Sequence, residues 1–560
     1  MIKQFPPNNT LETWMDYVGT LPSLGEHWVE TAKLPGNPVI LSDTLGANLK
    51  ATTALVGTIL LSKRIAQHSP EQNIGLLLPT TAGSMIASMA VIMLGKTLVT
   101  LNYTAPMDSI VSAIEQAELK TIYTSSRFLD NLKTRGVDLS SLSDMVNIVM
   151  LEDLRGDISP WEKVSTMITC KLFSASHLRK KFCASPDIES TAVILFSSGS
   201  EGAPKGVMLS HKNILANVKQ VSKILNADSD DVIMANLPIF HSFGMTACLF
   251  LSMLERIKMV CHIDPTDVVA NAKAIRQHKA TLLFGTSSFF RLYIKNKKVS
   301  AEDLASLKIT IAGAEKLQTK ISAAFTQRFG KVVYEGYGCT ELSPVACVNT
   351  PFENIEQPHL NDNNKPGTVG KPIPGTQVRI VDPDTLEELP LGTAGMIIVA
   401  GPQVMQGYLN NDALTNQVLV EQDGLRWYIT GDKGYLDEDN FLIIEDRYAR
   451  FAKVSGEMIG LGTIEQTLLK VLGNNDDLED IEVMAVSIPD EKKGEIIVIL
   501  STTELVEKDL RPKLLAGGLN NLALPTSYIQ VDSLPSLGSG KADFATAKEV
   551  AKQALFIKNA

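Results

Sequence analysis

The chain has 560 residues, 44% hydrophobic and 20% charged, which is a globular balance but too long for one ordinary core, so two or more domains are expected. The formal net charge of −10 gives no basic footprint for nucleic acid and does not favour adhesion to anionic lipid. It leaves room for an acidic protein partner, because local patches decide docking.

The N-terminal MIKQFPPNNT has no apolar core of a signal peptide, so none is expected. The apolar stretch from Ile74 to Leu101 is cut by Pro79, Gly83, Gly95 and Lys96 into strand, helix and strand lengths. No run of about 20 apolar residues remains, so no membrane span is expected and a cytoplasmic location is the default. Short apolar runs at 74–78, 120–124, 147–151, 191–196, 280–285, 308–313 and 331–336 read as buried strands. Amphipathic patterns lie between several of them. Over 213–225, for example, Ile214, Leu215, Val218, Val221 and Leu225 share one helical face. This alternation predicts an α/β fold whose large N-terminal domain holds two parallel-rich sheets.

The Gly/Pro-rich KPGTVGKPIPG at 365–375 opens a different region. Strand-like segments at 377–381, 396–400 and 441–445 predict a small antiparallel or β-barrel-like module. Beyond it, strands at 482–488 and 495–500 and helices near 462–472 and 507–516 predict a small α+β C-terminal domain. The boundary is set at 446/447, giving domains 1–446 and 447–560. The six cysteines (Cys170, Cys183, Cys248, Cys261, Cys339 and Cys347) show no C-x-x-C spacing and no accompanying His cluster. Buried free thiols in a reducing compartment are expected rather than a zinc site or disulfide framework.

The strongest chemical signal follows the strand at 191–196. Ser197, Ser198, Gly199, Ser200, Glu201, Gly202, Ala203, Pro204, Lys205 and Gly206 form a small-residue loop carrying one lysine. Small residues let backbone N–H groups approach an anion, and Lys205 adds positive charge, so a phosphate is the expected ligand. Pro204 before the lysine and Gly206 after it rule out a Walker loop.

This loop resembles the signature of the adenylate-forming superfamily, which includes acyl-CoA synthetases, luciferases and nonribosomal peptide adenylation domains. Glu201 departs from the usual Thr or Ser. Further segments resemble that superfamily's motifs in the same order: PIFHSFGMT at 238–246, AGAEKL at 312–317, EGYGCTE at 335–341, TGD at 430–432, DRYARFAKVSGEMIG at 446–460 and LGSGKADF at 537–544. The resemblance implies ATP and Mg²⁺ as cofactors. It implies that His241 gates the carboxylate pocket, and that Gly313, Ala314 and Glu315, with Glu335, Gly336 and Tyr337, surround adenine. Thr340 would bond the α-phosphate and Glu341 would hold the metal, while Asp432 and Arg447 would take the ribose. Lys541 would serve adenylate formation and Lys453 the thioester step, exchanged by rotation of a mobile C-terminal domain. The hinge position, usually Asp or Lys, is Ala449 here.

The Ser-Gly-Ser-Glu-Gly loop and the Gly-Ser-Gly-Lys-Ala-Asp-Phe ending are similar to bacterial acyl-acyl-carrier-protein synthetases. The implied reaction joins a fatty acid to the phosphopantetheine thiol of acyl carrier protein, with CoA as the alternative acceptor. A catalytically silent binding protein of the same fold is the alternative of another class. Arg450, Lys492, Lys493, Arg511 and Lys513 are candidates for a carrier-protein patch. The segment from Phe289 to Lys298 is a second candidate, for the same partner or for peripheral membrane contact. Segments near 240–245, 285–290 and 312–316 are expected to line the acyl tunnel.

Overall fold

The structure is a computed structural model that describes residues 5–197, 204–351, 363–455, 457–472, 481–490, 493–535 and 542–559. Two large sheets dominate it. One runs in the order Gly407–Tyr408, Lys205–Ser210, Thr191–Ser197, Thr97–Thr100, Asn73–Leu76, Thr121–Thr124 and Asn147–Met150. Pairing is parallel from Thr191–Ser197 onward and antiparallel on the other side. The second has nine strands, parallel from Val333–Gly338 through Ile309–Ala312, Leu282–Gly285, Val232–Ala235 and Lys258–Cys261 to Val39–Asp43.

The strands of this core read as unbroken apolar runs because helices cover both faces. Leu282–Gly285 and Ile309–Ala312 are buried at every position. The helix expected from 213–225 spans His211–Leu225, and its start is written locally. Ser210 accepts from the Asn213 N–H while the Asn213 side chain returns to the Ser210 N–H, so two end donors are satisfied. The largest core cluster joins both sheets through this helix and through Ala51–His68 and Ala82–Met93.

The segments after 365 form a five-stranded antiparallel sheet built on the long strand Leu425–Leu436. The chain ends in a smaller α+β domain. There Phe451–Val454, Glu457–Gly460, Val483–Asp490, Gly494–Ser501 and Ser527–Gln530 form one sheet, with helices Leu461–Leu472, Glu507–Ala516 and Phe544–Asn559. This domain has its own hydrophobic clusters, drawn only from residues after 451. The six cysteines are free, four buried and two half-buried. Among the described residues, no helix is long and apolar enough to cross a membrane.

Two of the expected contact surfaces change. Arg450 turns into the small domain, donates to Glu465 at 2.6 Å and lies 4.2 Å from the Phe544 ring, so it is not an outward landing residue. The helix Ser287–Lys295 buries Phe289, Phe290 and Tyr293 and pairs Arg291 with Glu482 of the small domain. It therefore offers no apolar face to a membrane. Lys493, Arg511 and Lys513 are exposed, and Lys492 lies outside the described residues.

Candidate active site

A cavity of about 990 Å³ opens beside the C-terminal ends of parallel strands from both large sheets. Leu101, Ser197, Thr286 and Gly313 each lie at or just past such an end and line its wall. Open α/β sheets leave their crevices at this edge, where the chain turns away from the strands.

One side of the cavity is polar. Ser197 and Lys205 are register partners on adjacent antiparallel strands, and both line the cavity. The Lys205 ammonium sits 5.6 Å from the Tyr408 ring centroid. Ser198, Gly199, Ser200 and Gly202 lie outside the described residues, as does Glu201. Packed against the strand Lys205–Ser210, the single turn Thr340–Leu342 carries Glu341, which is buried. Its Oε1 accepts from the Tyr408 hydroxyl at 2.9 Å, and its carbonyl accepts from the Met405 N–H at 2.8 Å. Burial, and next the neighbouring Glu341, push the Tyr408 phenol above its usual range, so it stays a donor. The Thr340 hydroxyl lies 3.3 Å from that of Ser242.

This donor set fits a hard divalent cation. Glu341 offers an oxygen ligand on the cavity wall, held from behind by a phenol. Among the described residues no group of three or more His, Cys, Asp or Glu side chains could hold a metal. A cation at Glu341 would therefore complete its shell with water and substrate oxygens.

Next to it, Tyr337, Asp432 and Arg447 form a network. The Tyr337 hydroxyl donates to Asp432 Oδ2 at 2.6 Å, and Arg447 Nε donates to Oδ1 at 2.9 Å. Asp432 is buried, and each of its oxygens keeps further acceptor capacity. Asp432 holds the Arg447 guanidinium above its usual range, and burial, then Asp432, raises the Tyr337 phenol. A register shift between Tyr337 and Gly338 bends this strand at the cavity. A Cβ at Gly338 would lie 1.8 Å from the Pro344 carbonyl oxygen, so the bend admits only glycine.

Gly313, Ala314 and Gly336 bring backbone to the wall. Ala314 sits at φ 72°, a conformation costly for a residue with a Cβ. The side chains of Glu315 and Glu335 are engaged elsewhere. Glu315 accepts from the Ser288 N–H at 2.5 Å, and Glu335 accepts from the Leu317 N–H at 2.8 Å. Burial pushes the Glu335 carboxyl from 4.5 up to about 7. Both carboxylates thus tie down the loop that carries Gly313 and Ala314.

The other side is apolar. His241 precedes the short helix Ser242–Gly244, with its ring 4.6 Å from that of Phe240. Beyond it the wall is Phe243, Ala247, Phe284 and Phe289, joined by Val221 and Leu225 from the helix His211–Leu225. The three segments expected near a tunnel all reach the wall. The contribution of the helix was not expected, because its apolar face reads as core packing.

Asp543 and Thr546, at the start of the last helix, complete the cavity from the small domain. Lys541 lies outside the described residues. Lys453 is exposed on the hairpin strand Phe451–Val454 and is not on the cavity wall. Tyr408 was missed by sequence reasoning. It stands 67 residues from Glu341, on the strand Gly407–Tyr408 while Glu341 sits in a separate turn, so no local spacing joins them.

A family model described as "AMP-binding enzyme" matches residues 49–409. The chain belongs to the AMP-binding enzyme family. Among curated members, a long-chain-fatty-acid–CoA ligase of Bacillus subtilis (strain 168) is 27% identical over 492 residues, covering 84% of this chain and 83% of that protein. Probable 4-coumarate–CoA ligase 2 of Dictyostelium discoideum is 34% identical over 328 residues, covering 57% of this chain. That match spans only 56% of the relative's length. Solved structures share the fold nearly end to end. ATP-bound MatB from Rhodopseudomonas palustris superposes with a TM-score of 0.75 at 21% identity, over 94% of this chain and 99% of that one. The anthranilate CoA ligase AuaEII in complex with anthranoyl-AMP gives 0.76 at 20% identity, over 96% and 99%.

Proposed function

We propose that this protein is an ATP-dependent acid–thiol ligase that activates a fatty acid as its acyl-adenylate and transfers the acyl group to acyl carrier protein. The observation that carries the reading is the division of one cavity. Ser197, Lys205, Glu341 and Arg447, the last held by Asp432, gather on one side, and a wall of Phe, Val, Leu and Ala side chains forms the other. A nucleotide triphosphate and an apolar acid would meet near His241.

In the first step a carboxylate oxygen attacks the α-phosphorus of ATP. The new O–P bond forms as the bond to pyrophosphate breaks. The acid is already ionised, so no general base is needed. The difficulty is repulsion between two anions, which positive charge near the reacting oxygens relieves. Lys205 would face the β- and γ-phosphates. Asp432 would accept from the ribose diol, with Arg447 beside it. Mg²⁺ bound at Glu341 would neutralise charge on the phosphoryl oxygens. Lys541 is two positions before Asp543, which is on the cavity wall, so the small domain stands close to where that lysine would be used.

In the second step the thiol attacks the acyl carbon and AMP leaves. We propose that residues 447–560 rotate for this step, withdrawing Lys541 and bringing in Lys453, with the pivot near Ala449. The exposed position of Lys453 is consistent with a role in the other arrangement.

The test is fatty-acid-dependent ATP–pyrophosphate exchange. No exchange with any acid from short to long chain would sink the reading and leave a silent binding protein. The acceptor is then decided by supplying radiolabelled fatty acid with ATP and either holo-acyl carrier protein or CoA. Acyl carrier protein rests on the Ser-Gly-Ser-Glu-Gly and Gly-Ser-Gly-Lys-Ala-Asp-Phe segments. A CoA acceptor is the second reading, supported by the names of the curated relatives.

A further inference from the structure

The helix Pro160–Leu172 has a surface that the proposed reaction does not use. Trp161, Val164, Ile168 and Leu172 recur three to four residues apart, so they form one stripe along the helix. In a globular protein such a stripe normally faces the core. Here it faces out: Trp161 and Leu172 are each 76% exposed, and Val164 and Ile168 about half. Phe173, 42% exposed, extends the stripe past the helix end.

The opposite face explains why the helix cannot roll inward. Thr166 and Cys170 are buried toward the helix Ala51–His68. Arg64 of that helix pairs with Glu162 at 2.5 Å, and the Lys33 ammonium donates to the Cys170 carbonyl at 2.5 Å. The outward stripe is thus fixed, about 16 Å long at the rise of an α-helix. No cavity-lining residue comes from 114–194, so the stripe is not part of the candidate active site.

Charge identifies the occupant. Residues 159–182 hold five Lys or Arg against one Glu, in a chain whose net charge is −10. Arg179 is tied to Glu26 and Glu30, and the single Glu to Arg64. Lys171 borders the stripe at the helix end, and Lys180 and Lys181 are exposed on the following helix Ala175–Phe182, while Lys163 is exposed on another side of the helix. An apolar ridge bearing an indole and flanked by lysines matches the interface of an anionic bilayer. There the ridge enters the acyl boundary, the indole sits at headgroup depth and the lysines meet phosphate.

We propose that this face docks the protein on an anionic phospholipid surface. Docking would set the enzyme beside a reservoir of apolar acids, but the inference stands on the stripe and its lysines, whatever the acceptor or the reaction.

Trp161 is itself the reporter. Trp14, Trp28 and Trp427 are fully buried, so any change in tryptophan emission on binding arises at Trp161. The full chain is mixed with vesicles of phosphatidylcholine alone or with phosphatidylglycerol added. We expect co-flotation and a blue-shifted emission, quenched by brominated lipid, only with the anionic vesicles, and weakening as salt rises. Ile168→Ser with Leu172→Ser, and separately Lys171→Glu with Lys180→Glu, should each lower vesicle partition by more than about tenfold. ATP–pyrophosphate exchange in detergent-free buffer should be unchanged in both, which checks folding. No flotation, or flotation indifferent to both variants, overturns the proposal. So does a dimer, or capture of acyl carrier protein, that Ile168→Ser with Leu172→Ser abolishes while vesicles still fail to bind.

Discussion

Glu341 is the residue on which the chemistry is most exposed to test. Its carboxylate is presented by the Tyr408 hydroxyl, so the two should act together on the cation. Glu341→Gln is expected to raise the Mg²⁺ needed for half-maximal exchange by tenfold or more, roughly the loss of one charged ligand. Tyr408→Phe should move the same curve in the same direction by less, and Mn²⁺ binding followed by electron paramagnetic resonance should weaken in parallel. An unchanged metal titration in either variant removes that residue from the site. Glu335 yields a pH signature. Its carboxyl is raised from 4.5 to about 7, so the folded chain holds this proton more tightly than the unfolded one. The contribution to stability is fully present below about pH 4.5 and is lost as pH rises through 7. Wild-type protein should therefore lose on the order of 3 kcal/mol relative to Glu335→Gln between those limits. Parallel unfolding curves across that range would refute the assignment. The small-residue run 197–206 stands out in the sequence because its residues are contiguous, and Ser197 and Lys205 at its ends line the cavity. Tyr408 does not, because its partner is supplied by the fold.

At the scale of elements, the strand Val333–Gly338 controls the shape of the cavity. The bend at Gly338 turns Tyr337 toward Asp432, and a Cβ there would strike the Pro344 carbonyl. Gly338→Ala should cost about 2 kcal/mol or more, read as a lower denaturation midpoint, because backbone rather than a side chain must yield. An unchanged midpoint would show that the approach relaxes freely. The central strands were readable as continuous apolar runs because both of their faces are covered. A strand before Thr430 is readable too, but not that it runs on to Leu436 and pairs with three others, because it carries polar residues past the cavity. The helix Pro160–Leu172 teaches the converse. Its period is plain in the sequence, but a period says which residues share a face and not what that face meets. Its direction is fixed by packing of Thr166 and Cys170 against Ala51–His68 and by the ties at Glu162 and Cys170.

At the scale of the molecule, two lysines on a domain proposed to rotate should separate two half-reactions. Lys541→Ala is expected to lower adenylate formation by a hundredfold or more while sparing transfer from a supplied acyl-adenylate. Lys453→Ala should do the reverse. Equal loss of both half-reactions in either variant would contradict the exchange of domains. The large-domain and small-domain cores were legible as composition and strand patterns, whereas the arrangement between them depends on contacts such as Arg291 with Glu482 that no pattern announces. Asp432 and Arg447 are register partners in the antiparallel ladder of Leu425–Leu436 and Leu442–Arg447. That ladder ends where the proposed pivot begins. A swing starting after Arg447 would have its axle bolted to the residues proposed to grip the sugar. The half-finished product could then stay in its berth while the crane turns overhead, with no release to solvent between one bond and the next.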